Sequence, residues 1–292
     1  MYLFLKNSLI KIKKSFGRFL SLFLIVALGL GFFVGVRSTS DNMLLTADKY
    51  YDDKKLYDYK IVSTHGLTLD DITSLKNLKS VKEVYGTYSV DEIVGIDVYR
   101  FHAIEDKVNL LDLKEGRLPE KDNECVAENK EFKIGDTITL NKGNEYLKNK
   151  EFKVVGLAET PLYISTEKGL TSIGNGKLKS FVFIPKEAFK MDYFTEAYII
   201  GNDTKDVLSY EKTYDKKLEP ILSDLKEIKP IRETLRYEEI LEDATKKIDK
   251  NENKIKKEEK KNRKKFNDGK VKIDDAKNKI NDGFDKIKHG QI

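Results

Sequence analysis

The stretch Phe19–Val36, FLSLFLIVALGLGFFVGV, constrains this chain more than any other. It runs eighteen residues without a charge, and thirteen of them are Leu, Ile, Val or Phe. As a helix it extends about 27 Å, enough to cross a hydrocarbon layer of about 30 Å. Those thirteen side chains favour insertion by about 4–8 kcal/mol, less the cost of the glycines and Ser21. Lys6, Lys11, Lys13, Lys14 and Arg18 precede the span. Only Arg37 follows closely, before Asp41 and Asp48. Positive charge stays in the cytoplasm, so the amino end is expected inside and the bulk after Val36 outside, at the plasma membrane. A cleaved signal peptide is the rival reading. Its apolar region runs about 7–15 residues and ends in small A-x-A-like positions. This span is longer and exits through Val36-Arg37-Ser38-Thr39-Ser40, which favours an uncleaved anchor.

Before the span, Leu5, Leu9, Ile12 and Phe16 recur at helical spacing among lysines. Residues 1–18 therefore read as a basic amphipathic segment on the inner membrane surface. A charged leader with accidental periodicity fits them equally. Within the span, Gly31 and Gly35 form a G-x-x-x-G, where a second helix can approach closely. Glycine costs a helix about 1 kcal/mol, so Gly29, Gly31 and Gly35 together suggest one helix of a bundle, with residues 19–37 as the transmembrane segment.

The rest of the chain is water-loving, at 35% charged residues overall. Net charge is +5, but from Glu242 to Gly290 there are seventeen Lys or Arg against eleven Asp or Glu. That excess is larger than the total, so the middle is near neutral or acidic. A basic tail suits nucleic acid, a partner that an external location excludes. The single cysteine, Cys125, has no partner for an internal disulfide, so the body must hold itself by core packing.

Asp41–Tyr51 reads as a short helix continuing outward from the span, Leu56–Ser63 as a strand, and Thr68-Leu69-Asp70-Asp71 as a capping box opening a helix to about Leu78. Val81–Val94 and Val98–Ile104 read as strands. After Leu110, β-type runs at Glu124–Glu128, Lys133–Leu140, Phe152–Glu159 and Ser180–Ile184 alternate with turn signals such as Gly135-Asp136 and Lys142-Gly143-Asn144. These predict a small all-β subdomain over about 111–190. Pro161–Lys179 has no firm pattern and reads as an exposed loop. Thr195–Ile200 returns to strand, Lys205–Asp224 to helix, and Lys226–Arg232 to strand.

From Glu233 the chain is helical and polar. Phe266, Ile273, Ile280 and Ile287 recur every seven residues, and Gly269, Ala276, Gly283 and Gly290 every seven, three places later. That is an a/d seam with large residues at a and small ones at d. Ile248 and Ile255 keep the period upstream. The eleven-residue step to Phe266 is a four-residue stutter. Residues 233–292 are expected to form a coiled-coil arm, about 55 helical residues of it extending about 80 Å; a frayed, solvated helix is the alternative. Its lysines either solvate the helix, the favoured reading, or touch anionic polymers or headgroups.

No chemistry-bearing motif emerges. Gly174-Asn175-Gly176-Lys177 lacks the leading glycine of a phosphate loop and the Ser or Thr after the lysine. His65, His102 and His289 lack ligand-spaced neighbours. Asp52, Asp53 and Asp58, among Tyr50, Tyr51, Tyr57 and Tyr59, lack calcium-loop spacing and read as a solvated corner. No catalytic, cofactor-binding or metal-binding residue is assigned, no cofactor is expected, and the chain reads as no enzyme.

ALGLGFFVGVRSTSDNMLLTADKYYDD resembles the helix-to-ectodomain junction of FtsX/MacB-type ABC transporter permeases. KLYDYKIVSTHGLTLDDITSLKNLKSVKEVYG is similar to their first strand-helix-strand, and LKEGRLPEKDNECVAENKEFKIGDTITL, EFKVVGLAE and SFVFIPKEAF to the landmarks of their β subdomain. The resemblance covers about residues 15–230. It implies an α+β fold: one transmembrane helix, a mixed α/β membrane-proximal subdomain with an inserted all-β subdomain making up an extracytoplasmic core over 38–232, then the long coil. It also implies a cytoplasmic ABC ATPase and a second permease copy as partners, with ATP-driven motion reaching an outer domain that acts on lipid, lipoprotein, peptide or cell-wall enzyme. The family's three further membrane helices and its ATPase-engaging loop are not found here, and the seam has no returning arm. The expectation is therefore a fragment or a truncated product of a longer permease. The competing reading is a single-pass surface adaptor whose coil binds a partner coil or itself.

Overall fold

The structure is a computed structural model and describes residues 2–141, 143–288 and 290. The chain divides into two compact units, Met1–Glu227 and Ile228–Ile292.

The first unit opens with two helices, α1 (Tyr2–Lys14) and α2 (Phe16–Asp53), parted at Ser15. The side chains of Leu5 and Leu9, on which the amphipathic reading of α1 partly rests, lie outside the described residues. The 38-residue α2 joins the apolar span to the helix expected to continue outward over Asp41–Tyr51. No breaker falls between them, and Thr39 and Thr46 return their hydroxyls to the carbonyls of Gly35 and Asn42 instead of competing for the backbone. Every side chain from Phe19 to Val36 is exposed. A helix apolar all round and uncovered by protein needs lipid or other helices around it. Among the described residues, α2 is the one helix long and apolar enough to cross a membrane.

Two sheets follow. The smaller is antiparallel, in the order β1 (Tyr59–Leu67), β10 (Phe194–Gly201), β2 (Val81–Thr87). Beside it runs α3 (Leu69–Lys76), whose capping box is formed as expected: the Asp71 amide donates to Thr68 Oγ1 at 3.2 Å, and the Thr68 amide to Asp71 Oδ2 at 2.7 Å. The larger sheet has the order β3 (Ser89–Val94), β4 (Asp97–Ala103), β9 (Leu178–Ile184), β6 (Glu124–Glu128), β8 (Glu151–Glu159), β5 (Asp112–Gly116), with β7 (Thr137–Thr139) also on β8. It is mixed: β4 with β9 and β6 with β8 run parallel, and the other pairs antiparallel.

The central strands β6 and β9 are buried on both faces over Cys125–Ala127 and Phe181–Ile184, which is why those residues are apolar without alternation. Cys125, Ala127, Val182 and Ile184 point to one core with Phe101 and Phe152. Val126, Phe181 and Phe183 point to the other. That second face is covered by Leu111, Leu162 and Tyr163. The segment expected as an exposed loop thus supplies part of the core, and Pro161 is buried.

Other boundaries move for identifiable reasons. Val81–Val94 is two strands in two sheets. Tyr88 marks the crossing, stacked on Phe189 at 5.1 Å and near Phe194 at 5.4 Å. Strand β1 begins three residues later than expected and runs on to Leu67 through a bulge that needs Gly66 at φ 74°. Strand β5 escaped the sequence reading because it is short, polar and bulged. Residues 226–232 are not a strand. They lie within α4 (Lys212–Lys288), a helix of 77 residues that carries Pro220 and Pro230 inside it.

In the second unit α4 is lined with same-helix ion pairs, including Lys246 with Glu242 at 2.7 Å and Lys256 with Glu252 at 3.5 Å. From Leu241 to Lys288 every residue except Gly269 and Gly283 is exposed.

Candidate functional site at the end of the membrane helix

A network of polar contacts gathers where α2 ends. Asp48 is buried in the last turns of α2, and its Oδ1 accepts the Ser209 amide at 2.7 Å. One turn on, Tyr51 meets Tyr210 hydroxyl to hydroxyl at 3.4 Å, and Asp52 pairs with Lys205 at 3.7 Å. These three contacts tie the helix to the approach of α4.

The chain then turns sharply. Lys54 caps the helix, its amide reaching Tyr50 O at 3.0 Å, and Lys55 takes a left-handed conformation at φ 51°. The carbonyls of Lys55 and Lys54 accept the amides of Asn109 and Leu110 at 3.0 and 2.8 Å. Asn109, itself left-handed at φ 51°, accepts the Tyr57 amide on its side chain at 3.2 Å. Lys54 Nζ reaches Asp112 at 3.1 Å, at the start of β5. The end of α2 is therefore fastened both to the edge of the larger sheet and to the base of α4.

Asp58 is the second node. Its Oδ2 accepts the Gly201 amide at 2.7 Å and the Thr204 hydroxyl at 2.8 Å, and its Oδ1 accepts the Tyr214 hydroxyl at 2.6 Å. Burial, then that hydrogen bond to Asp58, pushes the Tyr214 hydroxyl well above the usual phenol range. Ile221 of α4 is fully buried, against a close approach of Gly201. The Asp-and-Tyr corner expected to be solvated is thus a packed joint, with Tyr57 stacked on Tyr198 at 4.9 Å.

The other sequence-marked residues fall elsewhere. Gly31 and Gly35 sit on the exposed apolar length of α2, with nothing within 4 Å of where a side chain would begin. Phe266, Ile273, Ile280 and Ile287 lie on α4 and are exposed, with Gly269, Ala276 and Gly283 beside them. The Gly174–Lys177 turn leads into β9 and not into a helix, as a phosphate loop would. His102 is buried under Tyr163, and His289 lies outside the described residues. Among the described residues, no group of three His, Cys, Asp or Glu is placed to hold a metal.

The sequence pattern of the MacB-like periplasmic core domain matches residues 20–212, about two thirds of the chain. The chain belongs to this family. The MacB-like landmarks also have a physical reading, because they meet around the middle of β8. A side chain on Gly156 would lie 2.3 Å from the Arg117 carbonyl, and one on Gly116 (φ 78°) 2.3 Å from the Val155 carbonyl. Arg117 holds Glu124 through two bonds of 2.8 Å, and the Gly135 amide donates to Val154 O at 2.9 Å. Close backbone packing thus fixes β5, β6 and β8.

Among solved structures, the extracellular domain of the noncanonic ABC-type transporter YknZ from Gram-positive bacteria is similar at 14% identity over 48% of this chain and 75% of that one, with a TM-score of 0.30. The periplasmic region of MacB from Actinobacillus actinomycetemcomitans is similar at 17% identity over 59% of this chain and 75% of that one, with a TM-score of 0.32. Overlaps this slight add nothing to the assignment, which rests on the sequence match. No curated protein matches the chain.

The MacB-like core also holds a cavity of about 460 Å³, lined by Glu128, Glu159, Tyr163, Lys168 and Phe181. Lys168 Nζ lies 2.7 Å from Glu128 and 5.3 Å from the Phe181 ring centroid, and Ser180 donates to the other Glu128 oxygen at 2.6 Å. Its central charges are mutually satisfied, the arrangement of a structural ion pair. Sequence reasoning found neither this pair nor the Asp48–Ser209 bond. Lys168 sits in a patternless loop, and Asp48 is one acid among several after the span.

Proposed function

We propose that this chain is the membrane-embedded part of an FtsX/MacB-like ABC transporter permease, passing motion driven by a cytoplasmic ATPase to an outer domain. On this reading residues 1–18 are cytoplasmic, 19–37 cross the membrane, 38–232 form the extracytoplasmic core and 233–292 the coiled-coil arm. The observation that carries it is the fastening of α2. A rigid helix held by Asp48, Tyr51, Asp52 and Lys54 transmits a tilt or push to the core, and one ending in a loose linker would not. Family membership supports the ATPase and the second permease copy as partners. The outer domain then works on lipid, lipoprotein, peptide or a cell-wall enzyme, not as a pore for small solutes.

Membrane-solubilised complexes captured through a tag on the native gene product that carries these residues test the proposal. It requires an ABC ATPase and a second permease copy at fixed stoichiometry. The exposed stripe of α4 favours a second reading, a single-pass surface adaptor. A stable native product recovered with no ATPase in any detergent condition would replace the first reading with the second.

A further inference from the structure

We propose that the α4 stripe from Lys265 to Ile287 docks a separate amphipathic helix with acidic flanks, and that it rejects a second copy of itself. The inference rests on the heptad reading of α4 and is independent of the ATPase reading. With Phe266, Ile273, Ile280 and Ile287 at a, the g positions are Lys265, Lys272, Lys279 and Lys286. The e positions are Lys270, Lys277 and Phe284. Every charged position bordering the seam is therefore lysine. The aspartates of this stretch, Asp268, Asp274, Asp275, Asp282 and Asp285, all fall at b, c or f, farther round the helix.

This arrangement is local. Upstream, with Ile248 and Ile255 at a, the flanks are mixed: Lys247 and Lys254 at g, Glu252 and Glu259 at e. The lysine border begins only after the stutter. In a coiled coil the e and g residues face their counterparts on the partner and decide which partner is accepted. A parallel copy would set g lysines against e lysines, and an antiparallel copy would set like against like. Both orientations are repelled along the whole stripe. A helix with Glu or Asp at e and g meets a complementary charge at nearly every border position.

The seam adds a size rule. Gly269, Ala276 and Gly283 at d leave room for a large residue from the opposite helix, and no neighbouring atom fills the space beside Gly269 or Gly283. The apolar knobs stand ready, with Phe266 73% and Ile273 69% exposed. The fitting partner therefore carries bulky apolar residues opposite the small d positions and acids on both borders.

The test uses the full chain in detergent and two synthetic four-heptad helices with the same leucine seam. One carries Glu at every e and g position, the other Lys. Anisotropy titration should give about 100-fold tighter binding of the acidic helix, from six border pairs of modest energy each, and rising salt should erode it. Converting Lys265, Lys272, Lys279 and Lys286 to Glu should reverse the preference, and converting them to Gln should shrink it to about 5-fold, the share of the two remaining pairs at Lys270 and Lys277. Ile273→Asp with Ile280→Asp should remove binding of both helices, with circular dichroism checking that α4 persists. Equal binding of the two helices, binding of neither, or a seam-dependent dimer of the chain would overturn the proposal. So would binding to anionic vesicles that the Gln series loses and the Asp pair keeps, which would assign the stripe to a lipid surface.

Discussion

Asp58 joins three segments through three short hydrogen bonds: the exit from α2, the end of β10 and the first turn of α4. Hydrogen bonds to a charged acceptor contribute about 1.5–3 kcal/mol each, and their donors are costly to strand. Asp58→Ala is therefore expected to destabilise the protein by about 3 kcal/mol, read by urea unfolding of the detergent-purified chain, with Asp58→Asn in between. His102 makes a pH prediction. Burial, then the charges of Arg100 and Lys60, lowers its pKa from 6.5 to about 3. Below pH 6.5 the unfolded chain takes up a proton that the folded chain refuses. Stability is therefore full above that pH and falls as pH drops towards 3, by about 1.4 kcal/mol per unit. Unfolding at pH 6.5, 5.5 and 4.5 checks the slope, and His102→Phe should flatten it. At this scale legibility was uneven. Thr68 and Asp71 announced their capping box because both partners lie within one turn of chain. Arg117 and Glu124, and the glycines beside β8, were visible as landmarks without their reason. Asp48 with Ser209 and Glu128 with Lys168 are long-range pairs, and nothing local marks a long-range pair.

The elements were more legible where packing and pattern agree. The doubly buried strands β6 and β9 and the apolar length of α2 could hardly be read otherwise. Residues 226–232 failed because Ile228 and Ile231 satisfy a helical spacing as well as a β-rich one, and Pro230 is a residue disfavoured inside a helix. The helix formers on both sides carry α4 through, and Thr234 caps the Pro230 carbonyl at 2.9 Å. Two predictions belong to the long helices. Asp48→Ala removes the acceptor that holds the Ser209 amide, so hydrogen exchange at Ser209 and the turn after it should rise about 10- to 100-fold; unchanged protection would mean the helix end is held without it. Gly31→Leu with Gly35→Leu would fill the surface proposed for close helix approach. Cross-linking between span helices in the membrane should fall several-fold, and Ile25→Leu with Val26→Leu, where a bulky residue already stands, should leave it unchanged.

For the whole molecule, the single free thiol becomes useful. Cys125 is fully buried, and burial pushes its pKa up to about 12, so it is silent to maleimides. Cysteines placed at exposed positions therefore report alone. The account depends on α2 crossing the membrane with its basic end inside and carrying a tightly fastened core on the other side. The direct measurement is labelling of Lys6→Cys and Asn251→Cys variants on intact cells with a membrane-impermeant maleimide. The account predicts that Asn251→Cys labels at once in a membrane-bound product and that Lys6→Cys labels only after permeabilisation. Protection of both until the membrane is opened, or the reverse order, would contradict it.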